Sequence, residues 1–159
     1  MRDLRLIALD VDGVLTDGGV WWGADGGEWK RFSFLDIMGV SMAVKAGLTV
    51  ALISGEDSPL VDRFAAKFAL TDVVKGCKDK AAALRGVAER HGVALSAVCF
   101  MGDDVNDVAA MRLAGLAAAP ASAHAQALAA ASLVTRAPGG YGAVRELIDA
   151  ILAERASNG

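Results

Sequence analysis

Two aspartates stand two residues apart where an apolar run ends, in Leu6-Ile7-Ala8-Leu9-Asp10-Val11-Asp12-Gly13. The pattern returns in Phe100-Met101-Gly102-Asp103-Asp104, with Asp107 three residues further on. A third apolar run ends in Ser54-Gly55, and Asp79-Lys80 opens a segment of helical period. Carboxylates gathered in one place repel one another unless a cation sits among them. Hard oxygen donors without a cluster of His or Cys suit Mg²⁺ rather than zinc. Mg²⁺ with one ammonium and one hydroxyl donor is the equipment of phosphoryl transfer, which needs charge neutralisation, positioning and an in-line nucleophile.

Each fragment alone has a plainer reading. A lone D-x-D serves more often as a turn or helix cap. Gly-Asp-Asp is also a helix start at which the dipole favours an acid. Ser54 by itself is usually a cap, and Lys80 by itself a solvated surface residue. All four motifs fall at strand ends or helix starts, in this order, and together they point to one site. Ligands of open α/β sheets bind at the carboxyl ends of their strands.

The elements that must position these residues follow from the apolar pattern. Strands are expected at 4–11, 49–54, 98–102, 115–119 and 133–135, with a weaker one at 72–74. Helices are expected at 36–46, 58–68, 79–91, 105–113, 123–131 and 142–154. Continuous apolar strands alternating with helices mean an α/β fold, a doubly wound parallel sheet covered on both faces. Residues 20–22 and 28–32 flank Gly23-Ala24-Asp25-Gly26-Gly27 and read as a β-hairpin. Aromatics are only 6% of the chain, yet Trp21, Trp22, Trp29 and Phe32 gather here. A two-stranded ribbon cannot bury four large rings by itself, so the hairpin is expected to pack against another copy.

Composition removes other classes. With 159 residues, one domain spanning 1–159 is expected. A hydrophobic share of 54% against 22% charged excludes disorder. No apolar run is long enough for a membrane span. Asp10 and Asp12 break the N-terminal apolar segment before it can act as a signal peptide. A net charge of −3 offers no basic surface for nucleic acid. Cys77 and Cys99 form no framework, which fits a reduced, cytoplasmic protein. Met101 and Met111 are read as core, Cys77 as a spacer between lysines, and His91 and His124 as solvated helix positions.

The sequence resembles the haloacid dehalogenase superfamily of phosphohydrolases, in its small capless branch of sugar-acid phosphatases. The resemblance lies in DVDGVLTDGG (10–19), GEWKRF (27–32), ISGEDS (53–58), KGCKDKAAAL (75–84), MGDDVNDVAAM (101–111) and GGYGAVRE (139–146). It implies that Asp10 is a nucleophile forming an aspartyl phosphate. Asp12 would protonate the leaving oxygen and then activate water, and must therefore begin protonated. Mg²⁺ would be held by the Asp10 carboxylate, the Asp12 carbonyl and Asp103. Asp104 would orient metal-bound water, and Asp107 would steady Lys80. Ser54, Gly55 and Lys80 would bind the phosphoryl group.

In this superfamily a cap domain is inserted after the first motif or between the second and third. Here the first gap holds only the hairpin at 18–34, and the stretch from Ser54 to Lys80 has room for one helix and one strand. The chain is therefore expected to be capless. Capless relatives close their sites by assembly, so a homotetramer through the hairpin is implied. The C-terminal helix and tail, about 140–159, would make Arg145 a contact to substrate in a neighbouring copy or an ordinary surface residue.

Relatives acting on the eight-carbon 3-deoxy-octulosonate 8-phosphate usually read T-G-R where this chain has Ser54-Gly55-Glu56. Glu56 followed by Lys67 resembles the branch acting on nine-carbon nonulosonate 9-phosphates, a class linked to sialic acids, as does the stretch Gly27-Glu28-Trp29-Lys30. That substrate is favoured here, with the octulosonate ester, a lipopolysaccharide precursor, as the alternative. Relatives also usually carry a small residue after Asp36, where this chain has Ile37-Met38, and the extra bulk would narrow the site or alter loop packing. Two other classes remain. A receiver-type signalling domain would put its lysine after the acidic pair, an order this chain reverses. A non-catalytic module of a sugar-nucleotide pathway would not need every catalytic position intact.

Overall fold

The computed structural model describes residues 1 and 3–157. In chain order the elements are β1 (Leu6–Leu9), β2 (Trp21–Trp22), β3 (Glu28–Trp29), α1 (Phe34–Lys45), β4 (Thr49–Ile53), α2 (Pro59–Ala66) and β5 (Asp72–Val74). They continue as α3 (Lys80–Arg90), β6 (Val98–Met101), α4 (Val108–Leu113), β7 (Leu116–Ala119), α5 (Ala125–Ala130), β8 (Leu133–Val134) and α6 (Ala143–Ala156). Six strands form one parallel sheet in the order β5-β4-β1-β6-β7-β8, while β2 and β3 make a separate antiparallel ribbon.

The continuous apolar strands are explained by cover on both faces. Ile7 and Leu9 face one cluster, with Val40 of α1, Phe64 of α2 and Leu147 of α6. Leu6 and Ala8 face the other, with Leu84 of α3, Met111 of α4 and Ala127 of α5. The sheet is therefore doubly wound, and no cap domain interrupts it among the described residues.

The topology also sets the site. β1 is central, with β4 on one side and β6 on the other, so the winding reverses there. Leu9 is level with both Leu52 and Met101, and the exits bearing Asp10, Ser54 and Asp103 emerge side by side. This is the crevice in which open α/β sheets bind ligands. Asp79 caps α3 by accepting from the Ala82 N–H at 2.9 Å, which makes Lys80 the first residue of that helix.

Some boundaries differ from expectation. The hairpin is shorter than expected, and a Thr16–Phe32 bridge ties its base. Phe32 stacks on Phe64 with ring centroids 5.0 Å apart, so this fourth ring belongs to its own domain's core. Three tryptophans remain exposed. α4 starts at Val108 rather than 105, because the Asp107 carboxylate turns back onto the N–H groups of Asp103 and Asp104. Met101 and Met111 are fully buried, as expected. Among the described residues no helix is long and apolar enough to cross a membrane.

Candidate active site

The loop after β1 is wound tightly. The N–H groups of Val14, Leu15 and Thr16 all donate to the Val11 carbonyl. The Thr16 hydroxyl accepts from the N–H groups of Gly13 and Gly18, each at 3.2 Å. Gly13, at φ +87°, is thereby pressed onto Asp103, and a Cβ there would overlap the Asp103 carboxylate. Behind this loop, Gly139 and Gly140 pack on the backbone of Gly13, Thr16 and Asp17. Their own segment is pinned by Asp36, which accepts from the N–H groups of Gly142 and Arg145 and so caps α6 from α1.

Four charged side chains meet at the sheet's edge. Lys80 Nζ lies 2.8 Å from Asp10 Oδ1 and 2.6 Å from Asp107 Oδ1. Carboxylate oxygens of Asp10, Asp103 and Asp107 lie within 4.8 Å of one another. Asp107 is fully buried, and its Oδ2 accepts from the N–H groups of Asp103 at 2.9 Å and Asp104 at 3.1 Å. Both its oxygens are thus spent on positioning the lysine and the loop. Asp10 and Asp103 have oxygens to spare.

The electrostatics follow from this crowding. Burial raises the pKa of Asp10 well above its ordinary value, the Asp107 charge adds to the rise, and Lys80 only partly opposes it. Burial, with Asp107 again, lifts Asp103 to about 6. Burial disfavours the charge on Lys80, but Asp10 and Asp107 outweigh it and hold the ammonium above its ordinary pKa. Three carboxylates around one ammonium leave the cluster short of positive charge.

Asp10, Asp12, Gly55, Glu56, Lys80, Asp103, Asp104 and Asn106 line a cavity of about 160 Å³. Ser54, next to the lining residue Gly55, is fully buried, its hydroxyl accepting from the Glu56 N–H at 3.2 Å. The Asp104 side chain accepts from the Val105 N–H at 2.7 Å. Asn106 was absent from the sequence reading, although it lies within the G-D-D-x-x-D motif.

The larger omission is Lys30. Its ammonium stands 2.8 Å from Asp12 Oδ1, an ion pair that joins the hairpin to the catalytic loop. The stretch Gly27-Glu28-Trp29-Lys30 carries part of the family resemblance, but spacing alone does not aim its lysine. A second cavity of about 240 Å³, bounded by Lys30, Glu28, Trp22, Val20 and Gly18, shares Asp12 and Glu56 with the first.

Lys67 and Arg145 do not join the catalytic cavity. Lys67 ends α2, one helix away from the strand edge. It lines another cleft, of about 420 Å³, with Trp29, Lys30, Phe32, Ile37, Leu60, Arg63 and Phe64. The extra bulk of Ile37 goes into that cleft as well, not into the catalytic cavity. Arg145 is held by Asp149 one helical turn later, at 2.9 Å. Both histidines are exposed at helix ends, in keeping with expectation. His91 lies 2.6 Å from Asp72, and His124 caps α5 through Nδ1. Cys77 sits partly buried, its N–H donating to the Ser54 carbonyl at 3.0 Å.

Residues 41–147 match a family described as haloacid dehalogenase-like hydrolase. The chain is 38% identical over 151 residues to a 3-deoxy-D-manno-octulosonate 8-phosphate phosphatase of Escherichia coli strain K12, covering 95% of this chain and 80% of that protein. A similar solved structure is the 3-deoxy-D-manno-octulosonate 8-phosphate phosphatase of Moraxella catarrhalis in complex with magnesium, phosphate and KDO. It superposes with a TM-score of 0.95 at 34% identity, over 98% of this chain and 90% of that one. A putative hydrolase of the same family from Streptomyces avermitilis superposes at 0.91 with 38% identity, covering 94% of this chain and 86% of that one.

Proposed function

The chain belongs to the haloacid dehalogenase-like hydrolases and is a phosphoric monoester hydrolase, and from that premise we propose that it hydrolyses 3-deoxy-D-manno-octulosonate 8-phosphate through an aspartyl phosphate on Asp10. The observation that carries the mechanism is the cluster at the strand ends, where Asp10 and Asp103 share a cavity with a single buried ammonium. Asp10 Oδ attacks phosphorus in line. The bond from phosphorus to the sugar oxygen breaks, its electron pair stays with that oxygen, and Asp12 supplies the proton. Asp12 then takes a proton from water as the water's oxygen attacks phosphorus, which releases phosphate and restores Asp10.

Lys80 and Ser54 meet the phosphoryl oxygens, and Asp107 holds Lys80 at the reach this requires. Asp104, exposed on the cavity wall, would orient metal-bound water. The oxygen-only donor set and its shortage of positive charge fit Mg²⁺, with Asp10, Asp103 and the Asp12 carbonyl as the holding groups. The ion would neutralise phosphate charge. Residues 1–159 act in this reading as one catalytic domain.

The eight-carbon substrate replaces the nine-carbon one favoured on sequence. That preference rested on Glu56 acting with Lys67, and within the chain these line different cavities. The relatives of known name add support for the octulosonate ester. Steady-state kcat/KM on octulosonate 8-phosphate and deaminoneuraminate 9-phosphate tests the choice, together with a Glu56→Arg variant. At least a tenfold margin for the eight-carbon ester, on the order of 1.4 kcal/mol, is expected. The reverse margin overturns the substrate, and no Mg²⁺-dependent phosphate release from either overturns the activity.

Assembly is part of the proposal. Trp21, Trp22 and Trp29 are 60%, 77% and 53% exposed, with Phe34 at 83% beside them in sequence. Rings left in water on so short a ribbon support packing of the 18–34 hairpins in a homotetramer. Light scattering that returned a fully active monomer would refute this.

A further inference from the structure

We infer that Lys30 is a positioning residue for Asp12, through which the hairpin aims the proton transfers of the reaction. The inference rests on the reading of Asp12 as the acid and base. Lys30 lies on the ribbon just past β3, yet only 5% of its side chain is exposed. An exposed lysine paired with an acid gains little and keeps its mobility. A buried one has given up hydration and rotamer freedom, and is held only where its partners are fixed.

Here two acids flank it. The ammonium lies 2.8 Å from Asp12 Oδ1 and 3.7 Å from Glu28 Oε1. Glu28 is itself anchored. Its Oε2 accepts from the Trp22 indole at 3.1 Å, and its Oε1 from the Ser58 hydroxyl that caps α2 at 3.4 Å. The chain of contacts thus runs from the ribbon and α2 into the catalytic loop.

The consequence for Asp12 is geometric. Lys30 engages Oδ1, which leaves Oδ2 to exchange the proton and stops the carboxylate from turning about its own bonds. Asp12 stands at the junction of the cavity holding the nucleophile and the one Lys30 walls. The bond to the leaving oxygen would lie across that junction. As it breaks, the proton passes from Asp12 to the leaving oxygen, and in the second step one returns from water. Lys30 keeps its three protons throughout.

The test compares Lys30→Met, Lys30→Arg and Asp12→Asn on two esters, p-nitrophenyl phosphate and the better of the two sugar-acid phosphates. The aryl leaving group departs as a stable anion and needs no proton; the sugar alkoxide needs one. The kcat/KM values report only steps up to phosphoryl transfer. Lys30→Met is expected to lose about 10²-fold on the sugar ester and less than about 3-fold on the aryl ester. Asp12→Asn should show the same selectivity, and Lys30→Arg should recover most of the loss. If Asp12→Asn is selective while Lys30→Met loses equally on both esters, or on neither, the inference fails and the reading of Asp12 stands. If Asp12→Asn itself is unselective, that reading fails. Should Lys30→Met not fold, Lys30→Gln carries the same comparison.

Discussion

Asp72 opens β5 and Asp10 follows β1, in the same sheet, yet their carboxylates are driven in opposite directions. Burial opposes ionisation at both. At Asp72 it is outweighed by Arg90 at 2.8 Å and His91 at 2.6 Å, which hold the carboxyl below its ordinary pKa. At Asp10 burial is reinforced by Asp107, and a single lysine cannot compensate. One end of the sheet is closed electrostatically, with the Arg90 guanidinium and the His91 imidazole joining α3 to the edge strand. The catalytic end is left with unbalanced negative charge, which is the state a cation and a reacting phosphate complete. Stability is built at Asp72, and reactivity is held in reserve at Asp10.

The most severe way to break this contrast is Asp10→Asn. It should lower phosphate release by roughly 10³-fold or more, because the nucleophile is gone. Thermal unfolding should be unchanged or shifted upward, since one of three crowded carboxylates loses its charge. A large fall in Tm would contradict the picture of repulsion.

Lys80→Met should act on both properties. It leaves Asp10 and Asp107 buried without their shared cation, costing about 3 kcal/mol in denaturant unfolding as well as activity. Added Mg²⁺ should recover part of the stability and little of the turnover. Full stability without metal would show that the carboxylates need no counterion.

Asp72→Asn should be the mildest and should spare activity. A loss of about 1 kcal/mol at neutral pH is expected, small because Arg90 is more than half exposed and screened by water. The sign of its pH dependence follows from the lowered pKa. The folded chain binds this proton less readily than the unfolded chain, so the ion pairs contribute fully above the ordinary value of 3.8. That contribution disappears as pH falls below 3.8 toward the depressed value, and wild type and variant should converge there. A gap that widened on acidification would reverse the assignment.

What was legible in the sequence was local. An apolar run that stops at Asp10 or Ser54 marks the point where the chain leaves the core, so those residues must stand at strand ends. Helix starts at Ser58 and Asp79 were equally plain, because a capping side chain acts on an N–H two or three residues away. Lys67 and Lys30 show the limit. No local rule says which of these two lysines reaches Asp12. Lys67 follows α2 and faces a cleft that Lys30 also lines, while the Lys30 ammonium reaches Asp12 across 17 intervening positions.

The sequence by itself determined the alternation of strand and helix, the doubly wound sheet, and which carboxylates lie at its carboxyl ends. These depend on burial and hydrogen bonding within short segments. Only the tertiary structure decided which charges face one another: Lys80 between Asp10 and Asp107, Lys30 against Asp12, Asp36 under α6, and His91 on Asp72. Those contacts join residues far apart in the chain, and their distances are set by the register of strands and the packing of whole helices. No spacing rule carries that information.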